Sequence, residues 1–519
     1  MTDRHTPAEV TRRTFVVGAS AVLGAGALGV VASRVSTGAA VESVTAAGHS
    51  MAGMAPMAPT ALASIRADAL QATGGGGFVE PEVRASRNGE LATTFRVART
   101  PVLVGTETIQ AITYEGLYPG PTLDVRAGDT LKVKLVNDDT EPTNLHMHGF
   151  HVSPSGSSDN VLLSIAPGET FDYEYDIPDD HPAGTYWYHS HLHMLSDKQV
   201  FGGLFGLVVI RGDIDDLPDI AGLPERVMVL SQIEIVDGEV VNGSDSPLSK
   251  QATLVNGQYQ PVLEIASGEV QRWRICNSAS TFYRLQVTGH ELHVVNVDGN
   301  TPTETVTTDV LIVPPGGRAD VLVRGGEPGS STLDSISWAD LGAFYIPNMV
   351  PVPQTLVRLE TTAGATPSAD VALPTALLPM TDLRSVPIDR RREFRLSERE
   401  PRGVGPNDKF RYFINETEFD HDVVNETMIL GTTEEWEIIN LTYEPHPFHI
   451  HVNPFQIITI NGEPSGEDFY RDSALVPPFG RIVIRHQFLD YTGKYVMHCH
   501  ILFHEDHGMM QLLEVVEPD

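Results

Sequence analysis

Polar and hydrophobic residues alternate through many short stretches of this chain, and one such stretch occurs three times. Each copy starts at a glycine and reaches an asparagine nine residues later: Gly128–Asn137, Gly268–Asn277 and Gly431–Asn440. Hydrophobic side chains stand five and seven residues after the glycine in every copy. Alternation with a period of two residues is typical of a β-strand with one buried face. The repeat therefore predicts three copies of one strand-rich unit.

The spacing between the copies predicts the domain organisation. The repeat glycine of the second copy lies 140 residues after that of the first, and that of the third copy lies 163 residues further on. Each interval is long enough for one β-sandwich. Short hydrophobic runs bounded by glycine, proline or aspartate continue elsewhere, and no long amphipathic helical pattern occurs. We therefore predict an all-β fold with three Greek-key sandwich domains, at residues 79–213, 214–366 and 386–519, and a linker at 367–385.

Residues 1–40 have the features of an export signal. Arg12 and Arg13 precede Phe15 and an apolar stretch, rich in alanine and glycine, that extends to about residue 32. A charged start, a modest apolar segment and small residues near position 40 indicate a cleavable signal of the twin-arginine type. The alternative is a single membrane anchor. Because the twin-arginine route carries folded proteins, the signal favours a chain that acquires a prosthetic group before export.

Residues 41–78 form a glycine-rich segment that contains a small group of methionines. Met51, Met54 and Met57 follow one another at intervals of three residues, with His49 close by. Thioether sulfur is a ligand that suits Cu(I). The segment is therefore either a soft metal-binding site or a flexible linker in which the methionines are incidental.

Composition and charge exclude several classes of function. The 519 residues include 35 lysines and arginines against 68 aspartates and glutamates, which gives a formal net charge of −33. A chain this acidic does not bind nucleic acid through the phosphate backbone. Its two cysteines, Cys276 and Cys499, are too few for a disulfide framework. Cys276 lies in the second copy of the repeat, and we expect it to be a buried structural thiol.

Ten of the 20 histidines fall in four short motifs that keep a constant distance from the repeat. His146 and His449 lie nine residues after the repeat asparagine of the first and third copies, whereas the middle copy has Gln286 at that place. Paired faces of the first and third units could therefore enclose one metal cluster. The motifs are His146-Met-His148, His189-Ser-His191, His446-Pro-Phe-His449-Ile-His451 and His498-Cys499-His500-Ile-Leu-Phe-His504.

The His-x-His spacing has a physical reason. Residues two apart in a strand point to the same face and neighbours to opposite faces, so the strand 498–500 presents two imidazoles on one side and the Cys499 thiolate on the other. The cysteine side collects His446, His504 and Met509. Two imidazoles, one thiolate and a weak axial thioether are the donor set of a blue copper site, whereas zinc prefers more thiolates or an open site. A lone His-x-His is usually a surface or core pair, but four motifs at matched positions favour metal ligands.

With these motifs, residues 85–519 resemble the three-domain multicopper oxidases, a family that includes laccases, bilirubin oxidases and cuprous oxidases. The resemblance implies cupredoxin-like domains that hold four copper ions, one of type 1, one of type 2 and two of type 3. The ligands it implies are His446, Cys499, His504 and Met509 for type 1, His146 and His449 for type 2, and His148, His189, His191, His451, His498 and His500 for type 3.

The resemblance also implies a reaction. A small reducing substrate gives single electrons to type 1 copper, the electrons pass through Cys499 to the other three ions, and four electrons reduce O2 to water. Glu505 and Asp159 are candidate proton relays, and for each the alternative is a structural acid. Residues 345–385 contain only two methionines, Met349 and Met380. So little methionine favours phenols and aromatic amines over Cu(I) as electron donors.

Two other functions remain open at this stage. One is a cuprous or other metal oxidase in copper resistance, and the other is a non-enzymatic copper-binding envelope protein, which the complete type 1 ligand set disfavours. Because one chain supplies both halves of the cluster, a monomer is expected. We expect export by the twin-arginine machinery to the periplasm, cell surface or medium, without stable membrane insertion once the signal is removed.

Overall fold

The structure is a computed structural model. The export signal, apart from a two-residue strand at Phe15–Val16, lies outside the described residues, as do Met51, Met54 and Met57. Within the described parts of the chain, no helix combines the length and the apolar character needed to cross a membrane. The other described residues are 75–104, 107–241, 250–338, 353–364, 372–399 and 410–519.

The first copy of the repeat lies in a sandwich of two β-sheets. The strand His146–His148 forms the edge of one sheet and pairs antiparallel with Gly184–His189. The strands of this sandwich are Val83–Ala85, Glu90–Val104, Glu107–Tyr114, Thr122–Arg126, Thr130–Asn137, His146–His148, Thr170–Asp176, Gly184–His189 and Phe205–Arg211.

The middle copy lies in a second sandwich that shares a sheet with the first. Glu239 pairs in parallel with Gln110, so that one 11-stranded sheet extends through both units. This continuity fixes the middle sandwich against the first. Its strands are Glu225–Val236, Glu239–Val240, Lys250–Val255, Val262–Ala266, Val270–Asn277, Tyr283–Val287, Leu292–Val297, Val306–Thr308, Leu311–Val313, Arg318–Arg324, Gly329–Ser335 and Gln354–Thr362.

The third copy lies in a sandwich with two sheets of its own, one of six and one of five strands. In the second of these, His446–Ile450 lies between Gly493–Cys499 and Ser473–Val476. The strands are Arg390–Arg399, Arg411–Ile414, Val424–Ile429, Thr433–Asn440, His446–Ile450, Phe455–Ile460, Glu463–Pro464, Ser473–Val476, Arg481–Gln487, Gly493–Cys499 and Met510–Val516.

The predicted all-β class is confirmed, because the described helices are short. They are the α-helices Ser196–Gly202 and Leu502–Asp506 and the 3-10 turns Asp213–Asp216 and Leu383–Ser385. The predicted domain boundaries stay predictions.

The asparagine that ends each copy of the repeat holds the loop that follows its strand. The side-chain amides of Asn137, Asn277 and Asn440 donate to the carbonyl oxygen four residues later, at 2.9, 2.8 and 2.6 Å. Each side-chain oxygen accepts from the N–H two residues later. A short polar side chain that bonds its own backbone stabilises a tight turn. In the first and third copies that turn leads directly to the histidine motifs.

The hydrophobic positions of the repeat form the cores. Val133, Trp273 and Trp436, each five residues after the repeat glycine, are fully buried, and each belongs to a different core cluster. One buried face per strand is what the alternation predicts, because side chains alternate between the two faces of a sheet. The sandwiches therefore have separate cores, and their relative position depends on contacts between them.

A buried group of charges joins the first two sandwiches. Asp320 accepts hydrogen bonds from Arg272 at 2.6 Å and from Arg274 at 2.8 Å, and Thr185 of the first sandwich donates to the same carboxylate. All four side chains are fully buried. A buried charge is tolerated only when a partner compensates for its lost hydration.

The substitution Asp320→Ala should therefore destabilise the protein by about 3 kcal/mol, the lower end for a broken buried ion pair, because Asp215 and Glu225 still face the arginines. The control is Glu437→Ala, which breaks an exposed pair with Arg481 and should cost less than about 1 kcal/mol. Calorimetric unfolding temperatures would compare the two. Equal shifts would contradict a structural role for the buried cluster.

Candidate metal centre

Cross-strand pairing places the histidine motifs side by side in two sheets. In the first sandwich His146 pairs with His189, and in the third His449 pairs with His498. Directly paired residues point to the same face of a sheet, so each pair directs its imidazoles to one place. All four rings are fully buried.

The two sheets meet through stacked imidazoles. His148 of the first sandwich stacks on His449 of the third at 3.8 Å between ring centroids, and His146 stacks on His451 at 3.9 Å, both at 12° between planes. Residues about 300 positions apart are thus in van der Waals contact. The first and third sandwiches contribute to one cluster of eight histidines.

Hydrogen bonds on the outer side of the cluster fix the ring tautomers. His189 Nδ1 lies 2.8 Å from the carbonyl oxygen of Ser190, and His449 Nδ1 lies 2.8 Å from that of Asp472. A carbonyl only accepts, so these Nδ1 atoms carry the hydrogen and the Nε2 lone pairs are free. Those two Nε2 atoms are buried without a hydrogen-bond partner. Such an arrangement is typical of metal-ligating histidines.

Two carboxylates complete this outer layer. Asp159 lies 2.9 Å from His146 Nδ1, and Asp472 lies 3.1 Å from His148 Nε2. The remaining nitrogens, Nε2 of His146 and Nδ1 of His148, are buried without a hydrogen-bond partner. A buried nitrogen without a hydrogen-bond partner is energetically unfavourable. A metal ion could bind the lone pairs of these two nitrogens and remove that cost.

Inside the cluster the histidines form two trios and a pair. The Nε2 atoms of His191 and His451 lie 3.1 and 3.2 Å from Nε2 of His498. A second trio has ring centroids 4.9–5.8 Å apart, and the rings of the remaining pair are 6.2 Å apart. The short distances between these nitrogens fit the binding of metal ions. The second trio is His148, His189 and His500, and the pair is His146 and His449.

Burial keeps the imidazoles in the form that binds metal. It lowers the pKa of His191 to about 4 and that of His446 to about 3, so both are neutral near pH 7. A neutral imidazole has a free lone pair, whereas a protonated one has none. Burial also lowers the pKa well below the ordinary value in His146, His148, His189, His451, His500 and His504.

A second centre lies on the opposite face of the cysteine strand. Cys499 Sγ is 3.4 Å from His446 Nδ1 and 3.6 Å from His504 Nδ1, and the two nitrogens are 3.3 Å apart. The centre of such a triangle is ~2 Å from each corner, close to the length of a metal–imidazole bond. Burial raises the pKa of the Cys499 thiol well above its ordinary value, so a bound cation would have to replace the thiol proton.

The repeat asparagine also orients a ligand of this second centre. The Thr442 hydroxyl donates to Asn440 Oδ1 at 2.9 Å and therefore accepts from His446 Nε2 at 2.8 Å. That bond leaves His446 Nδ1 free and turned towards the sulfur of Cys499. Through Thr442, the repeat residue Asn440 thus helps to orient the candidate ligand His446.

Of the two adjacent methionines, Met509 is the one whose backbone bonds residues of the second centre. Its carbonyl accepts from the N–H of Cys499 and its N–H donates to the carbonyl of His504, at 3.0 and 2.9 Å, and it shares a core cluster with Cys499. Met510 packs in a different cluster, with Val496. The donor set of two imidazoles, a thiol and a neighbouring thioether fits copper.

The predicted proton relays lie against different histidines. Glu505 is fully buried, with one carboxylate oxygen 3.1 Å from His498 Nδ1 and the other 3.6 Å from His191 Nδ1. Asp159 accepts from His146 and also from the N–H of Met147 at 2.9 Å, and burial raises its pKa to about 8. Both acids touch the cluster, so each can exchange a proton with it.

Several residues at these centres carry no sequence signal. Asp472 follows the nearest motif by more than 20 residues, and Tyr412, which stacks on His504 at 3.9 Å, precedes every motif of its domain. Glu444 lies 3.5 Å from His504. It precedes the motif at His446 by two residues, but nothing in the sequence distinguishes it from other acidic residues in loops. His193 packs on Phe419 away from the cluster. Only the tertiary structure shows that Asp472, Tyr412 and Glu444 contact candidate ligands.

Comparison with known proteins gives one consistent family. Models described as multicopper oxidase match residues 96–214, 231–330 and 391–519. A laccase from Bacillus stratosphericus is 27% identical over 481 aligned residues, covering 78% of this chain and 90% of the laccase. A multicopper oxidase from Mycobacterium tuberculosis is 26% identical and covers 80% of this chain and 84% of its own length.

Solved structures agree with the cupredoxin-like architecture. A multicopper oxidase from Campylobacter jejuni, described as a metallo-oxidase, superposes with a TM-score of 0.74 at 27% identity. The match covers 86% of this chain and 96% of that protein. The three-sandwich fold predicted from the repeat is therefore the fold of these oxidases.

The substitution Cys499→Ser should abolish the blue absorption of copper-loaded protein and remove one copper ion per chain, because serine offers no thiolate. Cys276→Ser is the matched control for the blue absorption, since Cys276 is also buried and free but belongs to another core cluster, near Arg318. Visible absorption and copper analysis would compare them. Blue colour that survives Cys499→Ser, or vanishes in Cys276→Ser, would place the thiolate ligand elsewhere.

Proposed function

Since this chain belongs to the multicopper oxidase family, we propose that it is an exported, laccase-like member that oxidises phenols or aromatic amines. Family membership makes it a copper-dependent oxidoreductase that uses O2 as the electron acceptor. The observation that carries the proposal is the presence of both centres on one strand: Cys499 faces the triangle with His446 and His504, while His498 faces the eight-histidine cluster.

The residues present account for four copper ions. One ion would be held by Cys499, by its two histidines His446 and His504, and by Met509. The others would be held by the two trios and the pair of the cluster. Bound copper supplies one-electron transfer and the reduction of O2 to water. The chain links the two centres covalently, because Cys499 is bonded directly to His498 and His500.

The acids beside the cluster would supply protons. Four-electron reduction of O2 to two waters consumes four protons, and the cluster is closed to bulk water by burial. Glu505 and Asp159 touch histidines of the cluster from two sides. We assign Glu505 and Asp159 to proton transfer, with Asp159 also holding the ring of His146.

The electron donor would approach the protein surface nearest to His504, which is itself buried. Glu444 lies 3.5 Å from its Nε2, Tyr412 stacks on its ring, and the adjoining Phe503 is 37% exposed. Met380, one of two methionines at 345–385, packs against the middle core instead. Among the described residues, the side chains found at this edge are a carboxylate and aromatic rings, which favours an organic donor, whereas Met349 lies outside the described residues.

A cuprous oxidase is the second candidate function. It is supported by Met51, Met54 and Met57 of the sequence and by the similarity to a protein described as a metallo-oxidase. A non-enzymatic copper-binding role remains disfavoured, because the thiolate centre is complete and serves electron transfer. One chain supplies both halves of the cluster, so we propose a monomer.

Oxygen uptake by copper-loaded protein tests the substrate class. We expect turnover with a simple phenol, and we expect deletion of residues 48–60 to leave that rate unchanged. The matched control is deletion of residues 61–73, which has the same length and contains no methionine. Inertness to every phenol would reject the laccase-like proposal. Loss of Cu(I) oxidation only in the 48–60 deletion would support the metal oxidase.

Export is tested by the double substitution Arg12→Lys and Arg13→Lys. The protein should remain inside the cell with its signal uncleaved, because the twin-arginine machinery recognises the arginine pair. Arg34→Lys, a like change outside the pair, should be exported normally. Cell fractionation and the mass of the amino terminus measure the outcome. Normal processing of the double variant would rule out this route.

A further inference from the structure

The middle sandwich has no histidine in the cluster, yet one of its turns touches the cluster. Residues 314–318 connect the strands Leu311–Val313 and Arg318–Arg324. We propose that Arg318 is a positioning residue for the copper cluster, acting through Asp472 on the ligand rings of His148 and His449. The inference rests on the proposed copper sites and deepens them.

The guanidinium of Arg318 holds the Asp472 carboxylate in one orientation. Nη1 donates to Oδ1 at 2.8 Å and Nη2 donates to Oδ2 at 2.6 Å, a bidentate pair. The guanidinium is fixed in turn by the carbonyl oxygens of Gly316 at 3.0 Å and Thr185 at 3.3 Å. Both charged side chains are buried. A planar guanidinium with two parallel hydrogen bonds sets direction as well as distance.

Asp472 reaches one ligand from each half of the cluster. Its Oδ1 lies 3.1 Å from Nε2 of His148, and its backbone carbonyl accepts from Nδ1 of His449 at 2.8 Å. The hydroxyl of Ser473 donates to the same Oδ1 at 2.8 Å and lies 3.3 Å from both rings. His148 and His449 are the pair that stacks across the interface. Asp472 therefore contacts both rings: its carboxylate faces His148 and lies 3.4 Å from His449 Nδ1, while its backbone carbonyl accepts from His449.

The glycines around this contact leave no room for another side chain. A Cβ atom on Gly316, where φ is +77°, would lie 2.8 Å from His500 Cδ2 and 3.0 Å from His148 Cε1. A Cβ atom on Gly149 would lie 2.5 Å from both Arg318 and Asp472. The backbone of the middle sandwich is thus in contact with the ligand rings themselves.

Arg274 provides a matched control for a purely structural arginine. It is fully buried in the same sandwich and donates to Asp320 at 2.8 Å and to Glu225 at 2.6 Å. Its hydrogen bonds go to Thr185 and to three acids, Asp215, Asp320 and Glu225, none of which is a candidate ligand. Arg318→Lys and Arg274→Lys therefore both remove a buried guanidinium, but only the first removes it from a carboxylate that contacts a candidate histidine ligand.

The experiment titrates copper-loaded protein with a Cu(I) chelator and records the EPR spectrum of each variant. For Arg318→Lys we expect copper at the histidine cluster to be retained about 10–100-fold more weakly, the usual effect of losing a partner of a ligand. The EPR signal of the two-histidine copper should change. The blue absorption should stay, since Cys499 lies on the other face of its strand. Arg274→Lys should change neither copper retention nor EPR, even where it lowers the unfolding temperature.

Ser473→Ala keeps the proposal testable if Arg318→Lys does not fold. It deletes one hydroxyl and should shift the same EPR signal in the same direction by a smaller amount. Wild-type EPR and copper retention in both Arg318→Lys and Ser473→Ala, or equal changes in Arg318→Lys and Arg274→Lys, would overturn the proposal. Failure of the wild-type chain to bind copper would instead reject the proposed function.

Discussion

The structure depends on imidazole lone pairs that are buried and directed at one another. Eight histidines from two sandwiches meet at the cluster, where several of them bond a carbonyl or an acid through one nitrogen and other nitrogens are left without a partner. Such burial is unfavourable for the polypeptide alone, and burial keeps the rings uncharged. A metal ion that binds these nitrogens offsets the free energy lost by burying them. The buried imidazoles therefore destabilise the metal-free protein and favour the copper-bound one.

The geometry of a β-strand explains how two different centres lie so close together. His498 and Cys499 are adjacent and therefore point to opposite faces, one to the cluster and one to the triangle with His446 and His504. His446 and His449 are three residues apart on the partner strand and also face opposite sides. Two strands thus separate the two proposed copper centres, while a few covalent bonds connect them.

The middle sandwich shows what a copy of the repeat contributes without ligands. It shares a sheet with the first sandwich. Its buried Arg274 bonds Thr185 of the first sandwich, and its buried Arg318 bonds Asp472 of the third. Through these contacts the positions of the first and third sandwiches relative to each other are restrained. A cluster made from two halves needs such a restraint, because a displacement of about 1 Å is a large fraction of a metal–ligand bond.

The sequence by itself determined the repeat, the all-β class, the separate cores and the histidine motifs, because each follows from the local alternation of a strand. It also predicted that Cys499 and its neighbours would face opposite sides. Only the tertiary structure showed which histidines stack across the interface, and only it identified Asp472 and Arg318, which no motif marks. These depend on contacts between residues more than 100 positions apart. Alternation sets the face to which a side chain points, whereas packing decides which residue it meets there.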